Sequence, residues 1–109
     1  MTLDEYQQQS RKTALYPQVG SNVTYPTLGL AGETGEVAEQ IKKMLRDDGG
    51  VMTPQRREAV KKELGDVMWY IAQISSELGF SLEDVAWTNL QKLFSRLERG
   101  VLGGSGNDR

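Results

Sequence analysis

The fold is indicated most clearly by one stretch of the chain, residues 53–79, which reads TPQRREAVKKELGDVMWYIAQISSELG. Thr53 can cap a helix, Pro54 suits a first helical turn, and Gly79 suits a left-handed helix exit. Between them, apolar residues recur every three or four positions, at Val60, Leu64, Val67, Ile71, Ile74 and Leu78. This spacing predicts a helix over residues 54–78 whose apolar stripe packs against antiparallel neighbours.

Three further helices are predicted around this one, and no stretch alternates in the way that a strand does. The first should cover residues 3 to about 14, with Thr2 as its cap, and the second about 24 to 46. The fourth should follow Ser81 and end near residue 99. The sequence therefore predicts an all-α fold, a four- to five-helix bundle with antiparallel helices.

The length of 109 residues fits a single domain, which we expect to span residues 1–100. Residues 101–109 are rich in glycine and are typical of a flexible tail. A domain this small buries little of its apolar surface, so sharing that surface with further copies would stabilise it. We therefore expect homo-oligomerisation, as a homodimer or homotetramer, to complete the bundle.

Net charge and missing residue types argue against several functions. With 13 Lys and Arg against 15 Asp and Glu, the net charge of −2 provides no broad cationic surface for nucleic acid. No apolar run approaches the roughly 20 residues that cross a bilayer, and the first residues lack signal-peptide features, so we expect no membrane contact and a cytoplasmic location. The chain has no Cys and no His, so hydrolysis would depend on carboxylates and a hard metal ion.

Two acidic pairs, Glu33-x-x-Glu36 and Glu63-x-x-Asp66, border the apolar stripes of the second and third helices. At about 100° per residue, Glu33 lies roughly 40° from the centre of its stripe, Glu63 roughly 60° and Asp66 roughly 120°. A carboxylate so close to a packing face needs a cationic partner, and a helical hairpin would bring the two pairs together. Mg²⁺ is the expected occupant, with Mn²⁺ also acceptable. The other interpretation is that both pairs are solvated acidic faces.

Two segments carry a family resemblance: GLAGETGEVAE at residues 29–39 and KELGDV at residues 62–67, with 26 residues between Glu36 and Glu63. This pattern of ExxE, a gap and ExxD resembles the MazG-type all-α nucleotide pyrophosphohydrolases. The resemblance covers roughly residues 1–100. It implies hydrolysis of a (deoxy)nucleoside triphosphate between the α and β phosphates, with release of the nucleoside monophosphate and pyrophosphate.

The same resemblance implies roles for the four acidic side chains. Glu33, Glu36, Glu63 and Asp66 would hold one or more Mg²⁺ ions, which neutralise the triphosphate. One carboxylate, Glu33 or Glu36, would instead orient the attacking water or accept its proton. The sequence does not assign that role to either one.

Cationic and aromatic residues are also needed for the phosphates and the base. On the fourth helix a polar face suits phosphate, and its members are Asn89, Lys92 and Arg96. Lys43, seven residues after Glu36, can also reach phosphate. Tyr70, four residues after Asp66, is expected to form a wall for the base. Ordinary solvated positions at the rim of the bundle remain the alternative for these residues.

Two alternatives to the nucleoside triphosphate activity stay open. One is a phosphoribosyl-ATP pyrophosphohydrolase, which shares the fold and similar acidic motifs. The other is a non-catalytic helical oligomerisation or regulatory module. The four intact acidic positions argue against the second.

Overall fold

The structure is a computed structural model, and it describes residues 1–107. Those residues form four helices, α1 (Leu3–Arg11), α2 (Thr24–Asp47), α3 (Pro54–Leu78) and α4 (Leu82–Glu98), and no strand. The predicted all-α class is therefore confirmed. Within the same residues, no helix has the length and apolar character needed to cross a membrane.

The helix ends follow the capping residues in the sequence. The Thr53 side chain accepts a hydrogen bond from the Arg56 N–H at the start of α3, and Gly79 ends that helix with a φ of 79°. The Thr2 and Ser81 side chains cap α1 and α4 in the same way. The bounds of α3 and α4 thus lie close to the predicted ones, because caps are local features. Those of α2 also lie close to the prediction, although its N-cap residue, Val23, makes no side-chain capping bond.

The first helix is shorter than predicted and ends at Arg11 instead of near Ala14. Beyond Arg11 the backbone continues through tighter turns, in which the N–H of Thr13 bonds to the carbonyl of Ser10. The Thr13 hydroxyl also accepts a hydrogen bond from Trp69 Nε1 at 2.8 Å. A tertiary contact on α3 therefore fixes the way in which α1 ends.

Helices α2 and α3 form an antiparallel hairpin with the most extensive helix contact in the chain. At its closed end, Arg56 Nε donates to Asp48 Oδ2 at 2.9 Å, and Arg56 Nη1 donates to Gln40 Oε1 at 2.8 Å. These bonds tie the turn after α2 to the first turn of α3. The hairpin is the element that brings the two acidic motifs together.

Helix α1 lies antiparallel on α3, and side-chain hydrogen bonds join the two helices. Gln7 Nε2 donates to Ser76 Oγ, and Gln73 Nε2 donates to Ser10 Oγ, both at 3.1 Å. Gln73 has no exposed surface, so these bonds satisfy a polar group that is costly to bury alone. The contact sets the register of α1 along α3.

The apolar stripe of α3 is only partly buried, which corrects the prediction that all of it is core. Leu64 is 53% exposed and Leu78 is 54% exposed, while Val67 and Ile71 between them are half-buried. The fully covered residues of α3 are Ala72, Gln73 and Ser75, of which Gln73 contacts α1 through Ser10 and Arg11. The four helices of the described residues leave both ends of the stripe uncovered.

Candidate functional site

Three carboxylates from the two helices of the hairpin converge near its middle. One oxygen from each of Glu33, Glu63 and Asp66 lies within 4.8 Å of the others. Glu33 comes from α2, and Glu63 and Asp66 come from successive turns of α3. The structure thus brings together three of the four predicted acidic ligands. Glu36 is exposed on α2, one turn beyond Glu33, and is outside this group of three.

The group of three, which we call the acidic cluster, carries an unfavourable concentration of negative charge. The pKa of Glu33 is raised, first by burial and then by the charges of Asp66, Glu63 and Glu36. Each negative neighbour makes it harder to ionise Glu33. A cation at the cluster would remove this penalty.

The donor set of the acidic cluster fits a hard divalent ion. All three ligands are carboxylate oxygens, which Mg²⁺ and Mn²⁺ prefer. Two oxygens on opposite sides of one Mg²⁺ are about 4.2 Å apart. Oxygens that lie within 4.8 Å of one another therefore need only small shifts to share an ion.

An aromatic cluster lies beside the acidic cluster. Tyr16 and Tyr25 stack with ring centroids 5.0 Å apart, and Trp69 meets Tyr70 edge-on at 5.0 Å. With neighbouring residues of the loop before α2, these four rings line a cleft of about 350 Å³. The pKa of Tyr70 is raised by burial and then by nearby charges, which include Glu33. Tyr70 therefore links the cleft to the acids.

Gly29 explains how Tyr70 reaches this position. A Cβ atom at residue 29 would lie 2.1 Å from Tyr70 Cε1 and 2.4 Å from its Cζ, so only glycine leaves room for the ring. At Gly32 and Gly35, an added Cβ would meet no described atom within 4 Å. Among these three glycines of α2, only Gly29 is approached closely by another described side chain.

Comparison of the chain with known protein families agrees with the motif spacing and with the geometry of the site. The chain matches the MazG nucleotide pyrophosphohydrolase domain over residues 23–101, which include α2, α3 and α4. The chain belongs to the MazG nucleotide pyrophosphohydrolase family. It is also 46% identical over 114 residues to the Gene 37 protein of Mycobacterium phage L5, with 100% of both chains covered. No solved structure matches it significantly.

The cationic residues predicted from the MazG resemblance are not beside the acidic cluster. Helix α4 packs on α1 and α3, and within residues 1–107 it makes no contact with α2, which carries Glu33. Asn89 and Lys92 line a separate cavity of about 400 Å³ with residues from the start of α4. Their phosphate-binding roles stay predictions, because a single chain does not place these two residues beside the acidic cluster.

The three basic residues among the predicted phosphate ligands interact with other parts of the chain. Arg96 is buried and donates to the carbonyl oxygens of Gly106 and Asn107, while Lys92 Nζ donates to Asn107 Oδ1. Gly106 and Asn107 therefore lie against α4, while residues 108 and 109 of the predicted tail lie outside the described residues. Lys43 lies ten residues beyond Glu33, about 15 Å along α2, where its charge acts on Glu39 and Asp47.

Sequence reasoning missed the side chain that holds the loop before α2. Glu77 of α3 is completely buried and accepts hydrogen bonds from Arg11, Tyr16 and the backbone of that loop. The available signal was weak: Gln73 and Glu77 are polar residues four apart near the apolar stripe. Their partners are more than 50 positions away in the sequence.

Proposed function

We propose that the protein hydrolyses (deoxy)nucleoside triphosphates to the nucleoside monophosphate and pyrophosphate. The proposal is carried by one observation: a cluster of three carboxylates lies beside an aromatic cleft in a chain of the MazG family. In the reaction, a water oxygen bonds to the α phosphorus and the bond from that phosphorus to the α–β bridging oxygen breaks. The enzyme must orient the water, accept its proton and offset the charge of the phosphates.

Mg²⁺, or Mn²⁺ in its place, would be held by Glu33, Glu63 and Asp66. When bound, the ion would supply positive charge to the phosphate oxygens and make a water molecule easier to deprotonate. The pKa of Glu33 is raised by burial and then by the charges of its acidic neighbours, and both effects disfavour the ionised, ion-free site and so support this assignment. The three side chains come from both helices of the hairpin, so the ion would also stabilise the fold.

Glu36 is our candidate for the residue that orients the attacking water and accepts its proton. It lies one helical turn from Glu33 and is outside the acidic cluster, so its carboxylate remains available when the cluster holds the ion. Glu33 would serve mainly as a ligand. The position of Glu36 outside the acidic cluster is what favours it over Glu33 for this role.

The nucleobase would enter the aromatic cleft, where rings provide a stacking surface. Tyr70 is suited to this because it is in contact with Gly29 and lies near the acidic cluster. The base would then lie in the cleft, and the triphosphate would extend toward the acidic cluster. Lys43 and the α4 residues Asn89, Lys92 and Arg96 remain the candidates for phosphate contacts.

Asn89 and Lys92 would act on the site of a second copy in a homo-oligomer, and the buried Arg96 would do so only after residues 106 and 107 move away from it. The chain exposes 7504 Å² of surface, against about 6,100 Å² for a monomer of this size. Its radius of gyration is 16.7 Å, whereas a compact domain of this length has a radius of gyration of about 13 Å. The excess of exposed surface over that of a typical monomer is larger than the roughly 800 Å² that one partner buries in a standard interface.

An apolar stripe on α4 provides a surface for that association. Its members are exposed and spaced three, four and three apart, at Trp87, Leu90, Phe94 and Leu97. Such a stripe is expected to be covered by another helix. Light scattering should give a dimer or tetramer for the wild type and a smaller species for Phe94→Glu. A monomeric wild type would contradict this part of the proposal.

The activity is tested with a panel of dNTPs and NTPs and Mg²⁺, with both products quantified. Phosphoribosyl-ATP is included, because its preferential turnover would favour the alternative enzyme. Glu63→Gln should lose both turnover and the stabilisation by Mg²⁺. Glu36→Gln should lose turnover and keep that stabilisation. No pyrophosphate from any substrate would contradict the proposed function.

A further inference from the structure

The loop between α1 and α2, residues 12–23, has no helix of its own yet is held firmly against α3. Four of its residues, Thr13, Leu15, Tyr16 and Pro17, line the aromatic cleft. The position of this loop therefore decides the shape of one side of the cleft.

One carboxylate holds the loop. Glu77 Oε2 accepts hydrogen bonds from Arg11 Nη2 at 2.6 Å, from the Tyr16 hydroxyl at 2.7 Å and from the Gly20 N–H at 2.8 Å. Its other oxygen accepts a bond from the Asn22 N–H at 2.6 Å. The donors come from the end of α1 and from the whole length of the loop, so a single side chain joins three parts of the chain.

Glu77 is charged although its side chain has 0% exposure. Burial by itself would raise its pKa, but the hydrogen bonds from Asn22, Arg11, Tyr16 and Gly20 outweigh burial and lower the pKa to about 2. The carboxylate is thus fully ionised at neutral pH and is matched by its donors. Glutamine at this position would have nearly the same shape, but its amide N–H groups would face the hydrogen-bond donors that now bind the carboxylate.

The loop reaches the cleft through Tyr16. The Tyr16 ring stacks on Tyr25 with an angle of 12° between the planes, and it meets Trp69 edge-on at 6.4 Å. Arg11 Nη1 also donates to the Tyr16 hydroxyl at 2.7 Å. Because the hydroxyl is bound to both members of the Arg11–Glu77 ion pair, the ring cannot shift without breaking those bonds.

We propose that Glu77 is a positioning residue for substrate, which holds the α1–α2 loop so that Tyr16 and Tyr25 form a preorganised wall for the nucleobase. This inference rests on the proposed function. Glu77 does not touch the acidic cluster or the reacting atoms; it acts through Tyr16. A preorganised wall lowers the ordering cost of binding, so its loss should weaken substrate binding more than it slows the chemical step.

The test compares two variants that each remove one ion pair tying a loop to α3. Glu77→Gln should raise KM about 10-fold for the dNTP that the wild type hydrolyses fastest, with kcat within about 2-fold. Asp48→Asn is the matched control, because it removes the partner of Arg56 at the far end of the hairpin. Its KM should stay within about 2-fold of the wild type.

Tyr16→Phe is a milder variant that keeps the ring and its stacking on Tyr25. It removes the hydroxyl that binds Glu77 and Arg11, and it should raise KM about 3-fold with little change in kcat. If Glu77→Gln does not fold, as judged by helical circular dichroism, the KM and kcat of Tyr16→Phe are compared with those of the wild type to test the positioning role.

Trypsin provides a readout of the loop that is independent of activity. Cleavage after Arg11 or Lys12, followed by mass spectrometry, should be about 10-fold faster in Glu77→Gln than in the wild type and unchanged in Asp48→Asn. Faster cleavage together with the KM increase would support the positioning role.

Two results would overturn it. One is a wild-type KM in Glu77→Gln despite faster cleavage, and the other is unchanged cleavage, which would show that the carboxylate does not hold the loop. A wild-type chain without turnover would instead overturn the proposed function, and the positioning role with it.

Discussion

Asp66→Asn should stabilise the protein in the absence of divalent ions, although it should abolish turnover. Asp66 is an exposed member of the acidic cluster, and its charge contributes to the raised pKa of Glu33. Asparagine has the same shape without the charge. The substitution therefore removes repulsion in the ion-free state and removes a ligand from the ion-bound state.

The distance between the carboxylates sets the size of the effect. Two unit charges 4.8 Å apart repel by about 0.9 kcal/mol in the dielectric of water and by about 3.5 kcal/mol at an effective dielectric of 20. Because Asp66 is exposed, the lower figure is the better guide. Asp66 faces two other carboxylates, so the expected gain is about 1–2 kcal/mol, and each kcal/mol raises Tm by roughly 4–8 °C.

Thermal unfolding in EDTA at low ionic strength measures this gain, and repetition in 1 M KCl should shrink it. Glu58→Gln is the matched control, because Glu58 is an exposed acid of α3 that pairs with Lys61 and is outside the cluster. It should not raise Tm. Adding Mg²⁺ at a hundredfold excess over its Kd should stabilise the wild type by about 2.7 kcal/mol, and Asp66→Asn by much less.

The reasoning is refuted if Asp66→Asn lowers Tm in EDTA, or if Mg²⁺ stabilises the variant as much as the wild type. The first result would mean that the carboxylate makes a favourable contact without any ion. The second would mean that Asp66 is not a ligand. Unchanged turnover would count against the site as a whole.

Further predictions concern pH and packing. Because the pKa of Glu77 is lowered from 4.5 to about 2, about 3 kcal/mol of stability should be present above pH 4.5 and lost as the pH falls toward 2. The denaturant midpoint of unfolding should therefore fall over this pH range in the wild type and should not show this decrease in Glu77→Gln. The pKa of Glu33 is raised instead, so ion-free stability should rise as the pH falls from neutral toward the ordinary glutamate value, and Mg²⁺ should remove this trend. Gly29→Ala should displace the Tyr70 ring, costing about 1–3 kcal/mol of overpacking against about 1 kcal/mol of helix propensity, and should raise KM. Gln73→Leu should leave its partners unsatisfied and lower the free energy of unfolding by about 1–3 kcal/mol, measured in urea.

The local features of this fold could be predicted from the sequence because their causes are local. The bounds of α3 follow from Thr53 and Gly79, which act within one helical turn. The meeting of Glu33 with Glu63 and Asp66 follows from helical periodicity and a short hairpin connection. These rules need no knowledge of the rest of the chain.

Only the tertiary structure decided which surfaces are covered and what holds the cleft. Leu64 belongs to the same periodic stripe as Val67, yet it is 53% exposed because none of the helices within residues 1–107 covers it. Glu77 acquires its role from donors at residues 11–22, which lie 55 or more positions away. Periodicity and capping describe one helix at a time, whereas burial and a shared hydrogen-bond acceptor depend on how distant segments pack.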